Sequence, residues 1–353
     1  MSELNPLNGG RKSKIYEERR RREEQERERQ RRSDRERRRK KQRIRQIITL
    51  SFIAVFLVVC TALIAVNVKE LLQPKHTGTN KTAEEKETIV QEVISVDMNV
   101  KDISIDESMY LYDNDPEMLQ QLRQRMYSNA EQKEKLQFIL NHQAAYPPEM
   151  IEFLVKYEEV IDFVLKYPVE INKEHAMVVD VSGEYTKGKV PTFVQWDDRW
   201  GYLPYGDNII ADSGCGPTCL SMAMVALTGK TQYTPITVSN FAEKNGYYVD
   251  GVGSSWDLML GGAKKLGLQS GQISIKEESI KSALEGGKLV ILSMGPGIFT
   301  KGGHFILIYK YENGKFYVKD PNSWEKSDQG FTYSQFGSQI KGGWGLYVKD
   351  KKK

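Results

Sequence analysis

The chain has 353 residues, enough for one sizeable domain with accessory segments. Its formal net charge of +4 hides an asymmetry, because residues 1–45 hold 19 Lys or Arg against 9 Asp or Glu while the remainder is mildly acidic. A body without a basic patch argues against nucleic acid as a partner, and three cysteines rule out a disulfide framework.

In the basic cytoplasmic head, residues 1–45, Arg and Glu alternate with almost no apolar residue. Such a segment is either a solvated helix stitched by i,i+4 pairs or a disordered chain. Residues 46–68 carry no charge and are mostly Ile, Leu, Val, Phe and Ala. About twenty such residues at ~1.5 Å each span ~30 Å, the thickness of a bilayer's hydrocarbon core. They predict one transmembrane helix, and with it membrane lipid as a partner. The basic residues precede it, so the N-terminus is expected in the cytoplasm and the C-terminal domain outside the cell. The long basic region and long apolar core depart from a cleavable signal peptide, so the segment reads as an uncleaved, single-pass anchor.

Residues 69–114 have the polar composition of a flexible stalk. Residues 115–185 form a predicted helical stem. Apolar spacing near three and four places helices over 116–125, 130–141, 149–156 and 158–165, punctuated by Tyr146-Pro147-Pro148 and Tyr167-Pro168. Met150, Ile151, Phe153, Leu154, Val160, Ile161, Phe163 and Val164 are too apolar to stand in water alone. They are expected to pack on the following domain or on one another.

The last region, 186–353, opens with a predicted strand over 190–195 and a loop holding Trp196, Trp200, Tyr202 and Tyr205. These aromatics suit either a substrate groove or a plain core. Gly214-Cys215-Gly216-Pro217-Thr218 then leads into an uncharged apolar run closed by Gly229. Pro217 fits a first helical position and Gly229 the residue past the end. Cys215 thus falls at a helix mouth, where unpaired N–H groups and the positive dipole end favour a thiolate. The flanking glycines leave room for a substrate backbone. From this stretch alone, Cys215 is either a nucleophile or a buried structural cysteine. Cys219, one turn below, is expected to pack in the core.

Further helices are predicted from a Thr237 cap to Asn245, from Ser254 or Ser255 through 256–266, and over 279–284. Strands follow over 289–294, 305–311, 316–319 and 346–348. Helices first and an antiparallel sheet afterwards give an α+β domain. No His, Cys, Asp and Glu have metal-ligand spacing, so neither metal nor cofactor is expected.

The one histidine from residue 186 onward is His304, set after two glycines at the start of an apolar strand. Its side chain suits proton transfer near neutrality. Asp320, at the end of the next strand, could hold the imidazole in one tautomer. Register decides whether it does. A plain two-residue Asn313-Gly314 turn would set His304 against Ser323 and send Asp320 to the other face. A three-residue loop, or an equivalent bulge, sets His304 against Asn322 with Asp320 one diagonal away on the same face. The latter is the expectation.

Gly-Cys-Gly-Pro-Thr at a helix start, Gly-His on a strand, Asp320-Pro321 sixteen residues later and Gln195 upstream together resemble the papain-like cysteine peptidases. Closest is the double-glycine (bacteriocin-leader) peptidase-like family, over roughly 191–348. The resemblance implies a papain-like cysteine peptidase domain, helices packed on an antiparallel sheet, preceded here by the stem and the transmembrane helix. It also implies roles: Cys215 attacks, His304 is the base, Asp320 orients it, and Gln195 donates to the oxyanion. Gln195 departs from the family pattern, lying twenty residues before the cysteine rather than a few. Well-known members are domains of ATP-driven exporters that cut leaders after Gly-Gly; this chain has no phosphate-binding loop, and leader processing does not carry over. The expected function is hydrolysis of peptide bonds in a peptide or protein substrate at the cell surface through a thioester. The alternatives are a cell-wall peptide amidase or acyltransferase with the same triad, and a non-catalytic surface-binding module.

Overall fold

A computed structural model describes residues 100–105 and 112–349. The chain divides into two units, Met1–Val90 and Gln91–Lys353, and every described residue belongs to the second. The expected head and the transmembrane helix at 46–68 lie outside the described residues, as does most of the stalk. Among the described residues no helix is long and apolar enough to cross a membrane.

The stem is helical over Pro116–Ser128, Lys133–Asn141, Pro148–Lys156 and Ile161–Glu170, with a 3-10 turn at Glu158–Val160. Asp115 caps the first helix by accepting from the Glu117 N–H, and prolines occupy early positions in the first and third. The last helix runs through Pro168, which had been expected to end it. All eight apolar residues singled out in the sequence are buried. They pack on one another and also on Tyr202, Ile209 and Ala211 of the following domain. Phe163 stacks on Tyr202 with ring centroids 4.1 Å apart, and the Tyr202 hydroxyl donates to the Phe163 carbonyl at 2.9 Å. Lys166, nearly buried, pairs with Asp198.

Two short antiparallel pairs, β1 (Pro204–Tyr205) with β2 (Asn208–Ile209) and β3 (Tyr248–Val249) with β4 (Gly253–Ser254), accompany a main sheet of six antiparallel strands: β5 (Gln269–Gln272), β6 (Leu289–Met294), β7 (His304–Glu312), β8 (Lys315–Lys319), β9 (Gly330–Phe331) and β10 (Ile340–Tyr347), in the order β5-β10-β6-β7-β8-β9. β6 is buried on both faces, which explains its unbroken apolar sequence. Leu289 and Ile291 join Phe305 and Leu307 beneath the helix Cys215–Thr228. Val290, Leu292, Ile306 and Ile308 face the other way, toward Ile280 of the helix Glu277–Glu285 and Phe336.

Several local expectations are corrected. Residues 190–195 form no strand: Pro191 has no N–H to pair, and the segment docks singly, with the Phe193 N–H on the Met222 sulfur and the Gln195 N–H on the Pro321 carbonyl. The helix Pro235–Lys244 is capped by Thr234, not Thr237. The helix expected over 256–266 is a π-turn at Leu258–Gly262 followed by a short α-helical stretch, Ala263–Lys265. The strand Gln269–Gln272, whose sequence is polar and glycine-containing, carried no apolar alternation to reveal it.

Because Phe163 fills the seam between stem and domain, Phe163→Ala should lower the stability of the whole unit by about 3–5 kcal/mol, read as a shifted urea midpoint. A loss below ~1 kcal/mol would mean that the seam contributes little to folding.

Candidate active site

The hairpin joining β7 to β8 sets the geometry of the site. Asn313 and Gly314 both have positive φ (51° and 75°) and Glu312 pairs with Lys315, so the connection is a two-residue turn, and of the two expected devices, a three-residue loop or an equivalent bulge, the structure uses the bulge. The register then shifts. Lys310 pairs with Tyr317 but Ile308 with Val318, leaving Tyr309 as a bulge. Continued from Leu307 and Lys319, this shifted register sets His304 opposite Asn322. Asp320 therefore falls on the His304 face, one diagonal away.

His304 Nε2 lies 2.7 Å from Asp320 Oδ1, and both side chains are almost fully buried. That contact commits Nε2 and leaves Nδ1, and Cys215 is near enough to act on the imidazole. Asp320 is itself held. Its Oδ1 accepts from the Asn322 N–H at 2.9 Å, and its own N–H donates to Ser327 Oγ at 3.0 Å. A Cβ on Gly302 or Gly303, just before His304, would meet open space.

Cys215 is the first residue of its helix and half-buried. Pro217 stands third in the helix, not first, still inside the turn whose N–H groups have no helical partner. Gly229 closes the helix in the left-handed conformation, as expected. The glycines beside Cys215 serve packing rather than a substrate. A Cβ on Gly214 would lie 2.4 Å from the Ile210 carbonyl oxygen, and one on Gly216 would lie 2.7 Å from Ser254 Oγ. Cys219 is buried and donates its S–H to the Phe305 carbonyl at 3.4 Å, and burial pushes its thiol pKa well up. It packs against the His304 strand.

Gln195 is buried between the loop after Asp320 and the short helix Ile210–Ser213 that leads to Cys215. Its N–H reaches the Pro321 carbonyl at 2.7 Å and its side-chain Nε2 the Ala211 carbonyl at 2.5 Å, while Oε1 has no partner. The long insertion between Gln195 and Cys215 therefore loops out and back. Of the aromatics in it, Trp200, Tyr202 and Tyr205 are core residues, whereas Trp196 donates through Nε1 to the Asn322 carbonyl at 3.1 Å. Asn322 and Trp196 are thus part of the site, and so is stem residue Tyr157, whose hydroxyl accepts from Asn322 Nδ2 at 3.3 Å. Nothing in the sequence pattern separates these three from ordinary loop and core residues; only the Asn322 position opposite His304 could have been read from register. Among the described residues, no group of His, Cys, Asp and Glu is placed to hold a metal ion.

Burial by itself would lower the His304 pKa. The Asp320 carboxylate, by charge and hydrogen bond, and the contact with Cys215 outweigh it and raise the value from the ordinary 6.5 to about 10. A folded-state value above the unfolded one stabilises the fold fully below about 6.5, and the contribution is lost as pH rises toward about 10. The gap in urea midpoint between the native protein and His304→Gln should accordingly narrow as pH is raised from ~6 to ~10. A gap that stays constant over that window would show that the imidazolium is not held.

Residues 187–349 match the model of the Peptidase_C39 like family. No curated protein matches the chain. Among solved structures, the peptidase domain of Streptococcus ComA, described as a bi-functional ABC transporter involved in a quorum sensing pathway, is similar at 17% identity over 39% of this chain and 93% of that one, with a TM-score of 0.31. A protein described as a C39-like peptidase from Bacillus anthracis is similar at 17% identity over 49% of this chain and 99% of that one, with a TM-score of 0.29. Residues 187–349 are thus similar to the Peptidase_C39 like family, and that segment folds as helices packed on an antiparallel sheet, an α+β arrangement.

Proposed function

We propose that the protein is a membrane-anchored, extracellular cysteine peptidase, with Cys215 as nucleophile, His304 as acid and base, Asp320 as the group that orients His304, and Gln195 as an oxyanion donor. The observation that carries the reading is the buried His304–Asp320 contact at 2.7 Å, with Cys215 near enough to act on the imidazole. The uncharged segment 46–68 after a basic head supports the anchor and the outward-facing domain.

In this mechanism the Cys215 thiolate adds to a peptide carbonyl and forms an S–C bond. The negative charge moves to the carbonyl oxygen, where the Cys215 N–H and the Gln195 amide can stabilise it. The imidazolium of His304 then gives its Nδ1 proton to the leaving amine as the C–N bond breaks, leaving a thioester and neutral His304. Water attacks the thioester, His304 takes its proton, and the thiolate leaves as the acid is released. Asp320 keeps the ring in place throughout and compensates the buried positive charge.

A thiol-directed epoxide should label Cys215 in the native chain far faster than it labels a free thiol, and His304→Ala should slow that labelling by at least ~10²-fold. Labelling no faster than a free thiol, indifferent to His304→Ala, would sink the peptidase reading. Gln195→Ala should separate two chemistries. Acylation by an activated ester passes through an oxyanion and should fall about 10²-fold, whereas iodoacetamide alkylation, which forms none, should change little. Equal effects on both would remove Gln195 from the oxyanion site.

A further inference from the structure

Tyr157 and Glu159 sit where the stem helix Pro148–Lys156 gives way to the turn Glu158–Val160, outside the segment that matches the peptidase family. The Tyr157 ring packs edge-on against Phe153, with centroids 5.4 Å apart, and the residue is buried. Among the described residues its hydroxyl bonds to the following domain rather than within the stem. It donates to the Phe299 carbonyl at 3.3 Å and accepts from Asn322 Nδ2 at 3.3 Å. Phe299 lies five residues before His304, and Asn322 two residues after Asp320. One phenol therefore ties together the two loops from which the imidazole and the carboxylate are presented. Burial and then the Asp320 charge push its pKa up to about 12, so it remains a neutral hydroxyl across the physiological range.

Glu159 acts on the same loop from its other end. Its carboxylate accepts from Ser323 Oγ, from the Trp324 N–H at 2.8 Å and from the Glu325 N–H at 3.2 Å. Charge-assisted bonds of this kind are stronger than neutral ones and give the backbone of 323–325 a defined anchor. Between the two anchors lies Asn322, whose N–H holds Asp320 Oδ1 and whose carbonyl takes the Trp196 indole.

We propose that Tyr157 and Glu159 are positioning residues of the catalytic centre: the stem clamps the loop after Asp320 to the loop before His304 and so keeps the carboxylate on the imidazole. The proposal rests on the peptidase reading given above, and makes the stem part of the enzyme rather than a spacer. A domain cut down to the family-matching segment would keep Cys215, His304 and Asp320 but lose both anchors.

The test uses the full chain, with iodoacetamide as probe and alkylation followed at Cys215 by mass spectrometry at pH ~6 and ~9. At the lower pH a thiol reacts fast only if an imidazolium stabilises its anion, whereas at the higher pH an ordinary thiol is already largely ionised. Tyr157→Phe keeps the ring and removes only the hydroxyl. It should slow the reaction at the lower pH about fivefold, as expected for the loss of about one hydrogen bond, and Glu159→Ala, which removes three, at least as much, while both change it less than ~2-fold at the higher pH. Glu159→Gln, which keeps one acceptor oxygen, should recover part of the lost rate. Rates equal to the native protein's at both values would overturn the inference and leave the peptidase reading standing. An equal fall at both values, accompanied by a lower melting temperature, would also overturn it by assigning both residues to packing alone. A native Cys215 no more reactive than glutathione at the lower pH would instead defeat the peptidase reading, and this inference with it.

Discussion

The site depends on one contact that is costly to make in isolation. An imidazole and a carboxylate, each nearly or wholly removed from water, meet at 2.7 Å between His304 Nε2 and Asp320 Oδ1. Leaving either one buried without the other would cost several kcal/mol, so the surrounding structure has to deliver both to the same place. The Asn322 N–H adds a bond to Asp320, and the peptide on the other side of that loop is fixed through Ser327. The result is an imidazole that holds its proton to higher pH than it would in water, next to a half-buried thiol at a helix start.

Delivery to one place is a matter of register. In a strand pair every one-residue slip turns a side chain to the other face. The Asn313-Gly314 turn, chosen by its two positive-φ residues, would by itself put His304 and Asp320 on opposite faces. The bulge at Tyr309 reverses that within the same hairpin. Tyr309 is not left idle there: its hydroxyl donates to Asp328 at 2.7 Å, beside the buried Lys319 ammonium, which reaches Asp328 and Thr192. A polar cluster on the strand thus accompanies the irregularity that aligns the site.

The stem changes what counts as the functional unit. Its four helices share a core with Tyr202, Ile209 and Ala211, and its third helix ends at the phenol that bridges Phe299 and Asn322. A segment that sequence patterning marks only as amphipathic and acidic becomes a wall of the site. Glu159 illustrates the point. In the chain it is one of a pair of glutamates before an apolar run, as expected for a solvated helix start, yet it accepts three hydrogen bonds from residues 323–325.

Much of the domain was legible because it follows from local rules. β6 was read with its observed bounds because an apolar run between Gly286-Gly287 and Gly295 admits little else, and the cysteine helix because Pro217 and Gly229 bracket an uncharged run. Cys215 and His304 stood out for chemical reasons, as a cysteine at a helix mouth and the lone histidine of its region. The short strand Gln269–Gln272 and the single extended segment before Gln195 were not legible, since each is stabilised by partners distant in the chain rather than by its own periodicity, and the π-turn at Leu258–Gly262 departs from the α-helical spacing its sequence suggests. By itself the sequence determined the α+β class, the helix that begins at Cys215 and the need for a register that brings Asp320 to His304. Only the tertiary structure decided how that register is met, by a bulge rather than a longer loop, and which residues hold it. Those choices are long-range: Tyr157, Trp196 and Glu159 reach Asn322 and Ser323 across 126 to 165 positions of chain, and no local pattern encodes a contact at that separation.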